Sequence, residues 1–324
     1  MTDATISPGG RSAQAPAAGA HVAILLCSYN GGRFLGQQLD SIAAQSYPNW
    51  KVWVSDDGST DDTTALLAQY RETWGNSRLE ILRGPSRGFA ANFLSLACGR
   101  QIDADYFAYA DQDDIWETDK IQRALTHLEA LGSEGPALYC ARARLVNASG
   151  KPAGFSPLFR RPPDFRNALV QNVGGGNTMV FNRAARMLLV AAGPDVRVVA
   201  HDWWTYVAVS AAGGQVIYDP QPSLLYRQHG QNLIGSNNGL GARLRRVRLL
   251  MRGQLRGWID QNIAAIRRIA PRLTPTNRGV LESFLAARCG GTLRRVWGLK
   301  RSGVYRQTFM GNVGLFVAAL FKKL

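Results

Sequence analysis

Cysteine is scarce in this chain of 324 residues: Cys27, Cys98, Cys140 and Cys289 lie far apart and form no C-x-x-C pair. No disulfide framework is expected, and the thiols read as reduced residues of a cytosolic compartment. Long apolar runs are missing too. Val22-Ala-Ile-Leu-Leu is too short to span a bilayer, and no other segment does so without interruption. Residues 1–20, rich in Ala, Gly, Ser and Pro, lack the basic start and apolar stretch of a secretory signal and are expected to form a disordered leader. Acidic residues nearly vanish at the other end, where residues 241–324 hold 18 Lys/Arg against only Asp260 and Glu282. The tail thus carries about +16 of a formal net +15, which leaves about −1 for everything before it. The positive charge is a local feature, and it invites an anionic membrane surface or nucleic acid as partner.

The body from Val22 alternates short apolar runs with amphipathic stretches. Val22–Cys27, Trp50–Ser55, Leu79–Leu82 and Tyr106–Tyr109 read as strands. Between them Phe34, Leu35, Leu39 and Ile42, then Leu66, Leu67 and Tyr70, then Phe93, Leu94 and Leu96 recur at helical spacing. This alternation predicts right-handed βαβ units and a mostly parallel sheet. Further strands are expected at Leu138–Val146, Thr178–Phe181 and Gln215–Tyr218, with a helix over "HDWWTYVAVSAAG". Beyond Gly241, Leu244, Val247 and Leu250, and later Ile263, Ile266 and Ile269, suggest basic amphipathic helices.

Ligands of such sheets bind beyond the carboxyl ends of the strands. Polar residues gather at those ends: Ser28-Tyr29-Asn30, Asp56-Asp57-Gly58-Ser59, and Asp111-Gln-Asp-Asp. Asp56–Asp61 and the glycines of "VGGGN" at 173–177 are each explained by a turn or a helix cap. The clump "ADQDDIW" is different, because Tyr109 before it and Ile115-Trp116 after it argue against a freely solvated loop. Carboxylates suit Mg²⁺ or Mn²⁺, which keep coordination open for waters and substrate phosphates. The Asp-x-Asp spacing is expected to point two alternate side chains of a strand end the same way.

Taken together, "CSYNGGRFLGQQLDSIAAQSYPNW", "VSDDGSTDDT", "ADQDDIW", "AHDWW" and "YRQHGQN" resemble a family 2 inverting glycosyltransferase of the GT-A fold, in particular bacterial rhamnosyltransferases of O-antigen and cell-wall polysaccharide synthesis. The resemblance runs in order from about residue 21 to about 235. It implies an α/β, Rossmann-like, mostly parallel sheet flanked by helices, followed by a basic helical appendage. It places Ser28, Tyr29 and Asn30 in a nucleotide pocket and gives Asp56 or Asp57 the N3–H of a uracil or thymine base. Asp111 would face the ribose, Asp113 would ligate Mg²⁺ or Mn²⁺ on the diphosphate, and Asp114 would lie near the donor sugar with Trp116 beside it. His229 would be a further ligand, and Asp202 the base that takes the proton of the acceptor hydroxyl. Asn92, with Arg87 and Arg227, is a candidate phosphate contact. Trp203 and Trp204 are either core or a sugar platform.

The expected organisation is a leader over 1–20, a catalytic domain over 21–240 and a basic membrane-associating region over 241–324. The enzyme is then expected on the inner face of the cytoplasmic membrane, moving L-rhamnose from dTDP-L-rhamnose, or a hexose from a UDP-sugar, to a lipid-linked glycan. The tail has a plainer alternative, a helical cap on the domain. A nucleotidyltransferase would favour a glycine- and basic-rich signature early in the chain, of which Gly31-Gly32-Arg33 is a thin match. A nucleic-acid-binding role rests on the tail alone, which lacks a recognisable DNA- or RNA-reading module.

Overall fold

A computed structural model describes residues 19–132, 134–229 and 253–324. The leader, and the segment holding Leu244, Val247 and Leu250, lie outside the described residues. Among these described residues nine strands form one sheet in the order β3-β2-β1-β4-β8-β6-β9-β5, with β7 on the edge of β6. They are β1 Val22–Ser28, β2 Trp50–Asp56, β3 Leu79–Arg83, β4 Tyr106–Ala110, β5 Ile115–Trp116, β6 Ala137–Asn147, β7 Pro152–Phe155, β8 Val180–Asn182 and β9 Gln215–Gln228. The pairs β1–β2, β1–β4, β2–β3 and β6–β9 are parallel, while β8 runs against both β4 and β6.

Every residue of β1 is buried. Its alternate side chains feed two cores, Ala23, Leu25 and Cys27 on one face and Val22, Ile24 and Leu26 on the other. That is why β1 reads as a continuous apolar run, as strands covered on both faces do. Helices α1 (Gly32–Ala43), α2 (Thr63–Trp74) and α4 (Lys120–Glu129) cover the second face, through Leu35, Leu39, Leu67, Ile121 and Leu125. Helices α3 (Phe89–Ala97), α6 (Arg183–Ala192) and α7 (His201–Ala211) cover the first; the short α5 (Phe165–Ala168) adds Phe165 there.

The parallel β1–β4 half agrees with the sequence expectation. Two elements differ from it. A 3₁₀ turn at Gly176–Thr178 occupies the start of the expected strand Thr178–Phe181. The strand expected at Gln215–Tyr218 continues to Gln228, through Pro220 and Pro222, because register shifts opposite Ala141–Arg144 of β6 absorb the missing N–H groups.

The C-terminal helices are α8 (Gln254–Arg268), α9 (Pro275–Cys289), α10 (Thr292–Ser302) and α11 (Phe309–Leu320). Leu255, Ile259, Ile263, Ile266 and Phe284 join the same core as Trp204 and Val207 of α7. Among the described residues this region shares a core with the helices on that face of the sheet and packs on α7; the boundary expected near residue 240 lies outside the described residues.

Candidate active site

Parallel register sets the rim. Ser28 pairs with Asp56, Leu26 with Ala110, and Asp56 with Arg83, so the carboxyl ends of β1, β2, β3 and β4 finish together. The loops leaving these ends tie to one another. The Asn30 amide N–H donates to Ser59 Oγ at 2.9 Å, and Asn30 Oδ1 accepts from the Thr60 N–H at 2.8 Å. Asn30 does this from left-handed backbone (φ 48°), which Asn tolerates better than most residues. Gln112, passed over in the sequence, exchanges two hydrogen bonds with the Tyr29 backbone at 2.8 and 3.1 Å. The ring of Tyr29 stays 58% exposed above the rim, free to meet a ligand.

Several expected binding groups instead build the rim from below. Asp56 accepts from Ser28 Oγ (2.8 Å), Ser59 Oγ (2.6 Å) and the Ser59 N–H (2.8 Å), so it is the turn-forming carboxylate of the plainer reading. Asp57 accepts from the N–H groups of Ser86 (2.6 Å) and Gly88 (3.1 Å) and anchors the loop before α3. Both ends of the buried Asn92 amide are bound to Ser55, at 2.5 and 3.0 Å, which corrects its assignment to the donor.

The clump is a turn between β4 and β5. β4 stops at Ala110, so strand alternation does not aim Asp111 and Asp113. The short β5 pairs with Leu224 and Leu225 of β9, and His229 follows the end of β9. His229 Nε2 lies 2.6 Å from Asp113 Oδ2, with both side chains mostly shielded. Arg227 is turned to the protein: its Nε donates to the Asp113 carbonyl at 3.0 Å and its Nη2 to Gln37 Oε1 at 2.6 Å.

Asp114 points inward and is fully buried. It accepts from Asn177 Nδ2 at 2.5 Å, and burial followed by Asp113 and Asp111 holds its carboxyl well above the ordinary range. A place against the donor sugar is therefore corrected to a place beneath the pocket. Trp116 is corrected likewise: it is 3% exposed, and the buried Lys120 ammonium sits 3.9 Å from its ring centroid. Burial draws the Lys120 pKa down to about 7 against the pull of Asp114. Asp111 is pushed up to about 8 by burial, then by Asp113 and Asp202.

Asp202 lies in the first turn of α7 and faces the clump closely enough to act on Asp111. Its carboxylate accepts from the Gly176 N–H at 3.0 Å and the Trp203 N–H at 2.6 Å. Burial raises its pKa to about 6, against the hydrogen bonds of Trp203, Gly176 and Asn172. The glycines of "VGGGN" acquire a reason here. A Cβ on Gly176 would overlap the His201 ring and press on Asp202, and one on Gly174 would lie 2.8 Å from Cys140 Cβ. The backbone can therefore approach and bond the Asp202 carboxylate. Trp203 and Trp204 are core: they are 6% and 0% exposed, and Trp203 Nε1 donates to the Ala168 carbonyl at 2.8 Å. A stacking face for an acceptor sugar is excluded for both.

The carboxyl ends of β1 and β4 thus lead into Tyr29, Asn30, Asp111 and the Asp113–His229 pair, and the charge of Asp202 at the start of α7 reaches Asp111. The glycosyl transferase family 2 profile matches residues 23–190, just over half the chain, including the rim up to Asn177. The chain belongs to glycosyl transferase family 2. The dTDP-rhamnosyl transferase RfbG of Shigella flexneri is 27% identical over 239 residues, which are 69% of this chain and 78% of that protein. An uncharacterized glycosyltransferase of Haemophilus influenzae is 31% identical over 222 residues, 64% of this chain and 66% of its own length. Among solved structures, S. aureus TarS 1-349 in complex with UDP-GlcNAc has a TM-score of 0.53 at 14% identity, over 94% of this chain and 89% of that one. This family 2 chain accordingly has the α/β, GT-A-like fold expected of it.

Proposed function

We propose that this glycosyltransferase moves a sugar, L-rhamnose from dTDP-L-rhamnose first among candidates, to a hydroxyl of a lipid-linked bacterial surface glycan with inversion at the anomeric carbon. The observation that carries the proposal is the Asp113–His229 contact at the end of β4, with the Asp202 carboxylate near enough for its charge to act on Asp111. The similarity to RfbG supports the rhamnosyl donor.

Inversion is a single displacement, so one base and one stabilised leaving group suffice. Asp202, with a pKa of about 6, is an ionised carboxylate at neutral pH and still basic enough to take a developing proton. Gly176 and Trp203 hold it by their N–H groups, one to each carboxylate oxygen. Tyr29 and Asn30 border the nucleotide side. Asp113 and His229 would hold a divalent cation, Mg²⁺ or Mn²⁺, whose role when bound is to neutralise charge on the departing diphosphate. The donor set fits: one carboxylate and one imidazole leave open positions of the sort these ions fill with phosphate and water. Among the described residues no three His, Cys, Asp or Glu side chains gather to hold a metal.

Protection against thermal unfolding by dTDP-L-rhamnose, UDP-sugars and GDP-sugars, each with and without Mn²⁺, tests the proposal. Stabilisation by dTDP-L-rhamnose above the others, enhanced by Mn²⁺, is expected. Stabilisation by a UDP-hexose alone would replace the rhamnosyl reading, and none by any nucleotide-sugar would refute the donor site.

A further inference from the structure

The last two helices turn large apolar side chains outward. On α10, Leu293 is 87% and Trp297 65% exposed; on α11 and just beyond it, Phe309 is 81%, Met310 72% and Phe321 54% exposed. Phe309, Val313, Phe316 and Leu320 form one exposed stripe at helical spacing, while Leu315, Ala318 and Ala319 pack inward. Leu293, Trp297 and Phe316 line a shared open hollow of about 500 Å³ with Arg294 and Lys300, so the two helices present one face. Exposed Arg294, Lys300, Arg301 and Lys322 edge it, and no acidic residue occurs between Thr292 and Leu324.

We propose that this face docks on an anionic lipid bilayer, with α10 and α11 lying in the plane of the interface. The apolar stripe would enter the headgroup–acyl boundary and the basic residues would meet lipid phosphates. α11 carries no charge, yet at 12 residues it is about 18 Å long, well short of a span. No helix among the described residues is long and apolar enough to cross. Charge complementarity selects the occupant. A second copy would bring the same basic edge against itself, and nucleic acid has no use for a centre of Trp, Phe and Leu. The face is also wired to the site. The linker between α10 and α11 donates the Gln307 N–H to Gln171 Oε1 at 2.8 Å, and the next residue, Asn172, donates its Nδ2 to the Gly174 carbonyl at 2.8 Å, two residues before the Gly176 N–H that holds Asp202. A chain docked through α10–α11 holds its candidate base within a short run of backbone from the bilayer side.

The proposal stands on this face and is independent of which sugar is moved. The full chain is mixed with vesicles of phosphatidylcholine, alone or with phosphatidylglycerol, and sedimented. Pelleting with the anionic vesicles only is expected. The variant Arg294→Glu/Lys300→Glu/Arg301→Glu should lose on the order of 100-fold in partitioning, given about fivefold per engaged basic residue. Trp297→Ser/Phe309→Ser/Met310→Ser should lose tenfold or more, with an unchanged melting temperature as the check on folding. Without mutation, brominated lipid should quench tryptophan fluorescence of the parent, and less so in Trp297→Phe. Parent-like pelleting of both triple variants, or no quenching, overturns the proposal. So does a dimer in light scattering that the apolar variant dissolves while vesicle binding persists, since the occupant is then a second copy.

Discussion

Asp202→Asn separates chemistry from architecture. Asn has the same shape, and its Oδ1 can still accept from one of the two N–H groups, Gly176 or Trp203, that hold Asp202. What disappears is the capacity to accept a proton. Loss of a general base costs on the order of 10²–10⁴ in rate, or about 3–5 kcal/mol of barrier. Stability moves little, for two opposing reasons. A carboxyl raised from 3.8 to about 6 makes its ionised form cost folding about 3 kcal/mol at neutral pH, a cost that Asn removes. The second N–H, left facing an amide NH₂, costs about 1–3 kcal/mol in return. The two nearly cancel, so the melting temperature should stay within a few degrees. Turnover measured by nucleotide diphosphate release, beside a melting curve and donor titration, gives the three readouts. Near-normal turnover with a clear fall in melting temperature would show that Asp202 only fixes the start of α7, and would refute the assignment.

The other predictions concern charge in the same opening. kcat/KM should rise with pH through about 6 as Asp202 ionises, while the same group favours folding below pH 3.8 and loses that contribution as pH rises through about 6; a profile flat from pH 5 to 8 would remove Asp202 as the base. Asp113→Asn and His229→Ala should each abolish the Mn²⁺ enhancement of donor binding in calorimetry with little change in melting temperature, and unchanged metal dependence in both would exclude the pair as ligands. Donor and metal binding at pH 7 should release a proton from Asp111, whose pKa is pushed up to about 8, seen as a binding enthalpy that varies with buffer; identical enthalpies across buffers would count against it. Lys120→Met should leave stability in urea unfolding unchanged or raised, because burial already draws the Lys120 pKa down to about 7 and its Nζ has no hydrogen-bond partner to lose; a loss of about 3 kcal/mol would instead show that this ammonium holds Asp114 as a carboxylate.

The sheet was readable in the sequence because local pattern decides it. β1 to β4 are short apolar runs closed by polar loops, and each appears within two residues of its expected place. The motifs nominate Asp202, Asp113 and His229, and the fold carries the last two to within hydrogen-bond distance across 116 positions. Orientation was not readable. Asp57 and Asn92 look like ligand contacts by type, but their partners Ser86, Gly88 and Ser55 lie about 30 residues or more away in sequence. Trp203 and Trp204 were ambiguous because burial on α7 is decided by α8, from beyond residue 253. β9 was cut short because Pro220 and Pro222 argue against a strand until the irregular register of β6 is known. The glycines at 174–176 looked like a turn, since nothing local says that a histidine ring and a carboxylate will press on them.

The arrangement of charge explains why these parts occur together. Asp111, Asp113, Asp114 and Asp202 converge, and each of the first three raises or is raised by another. Lys120 offsets part of this from below, but its ammonium is buried against Trp116 and cannot reach a ligand in the opening. Arg227 gives its guanidinium to the backbone of Asp113, to Gln37 and to the Ala148 carbonyl. Placing a diphosphate in such a site with no further cation would bring like charges together in a partly buried space, which costs several kcal/mol. A divalent ion held by Asp113 and His229, as proposed, would supply the missing positive charge, and Asp111, with its pKa pushed up to about 8, has a proton to give up beside it. Asp202 is held apart by its own N–H donors and keeps a pKa of about 6, low enough to be ionised and high enough to take a proton. The clump proposed to gather the leaving group and the carboxylate proposed to activate the acceptor thus have different environments, which is the division of labour that a single displacement requires.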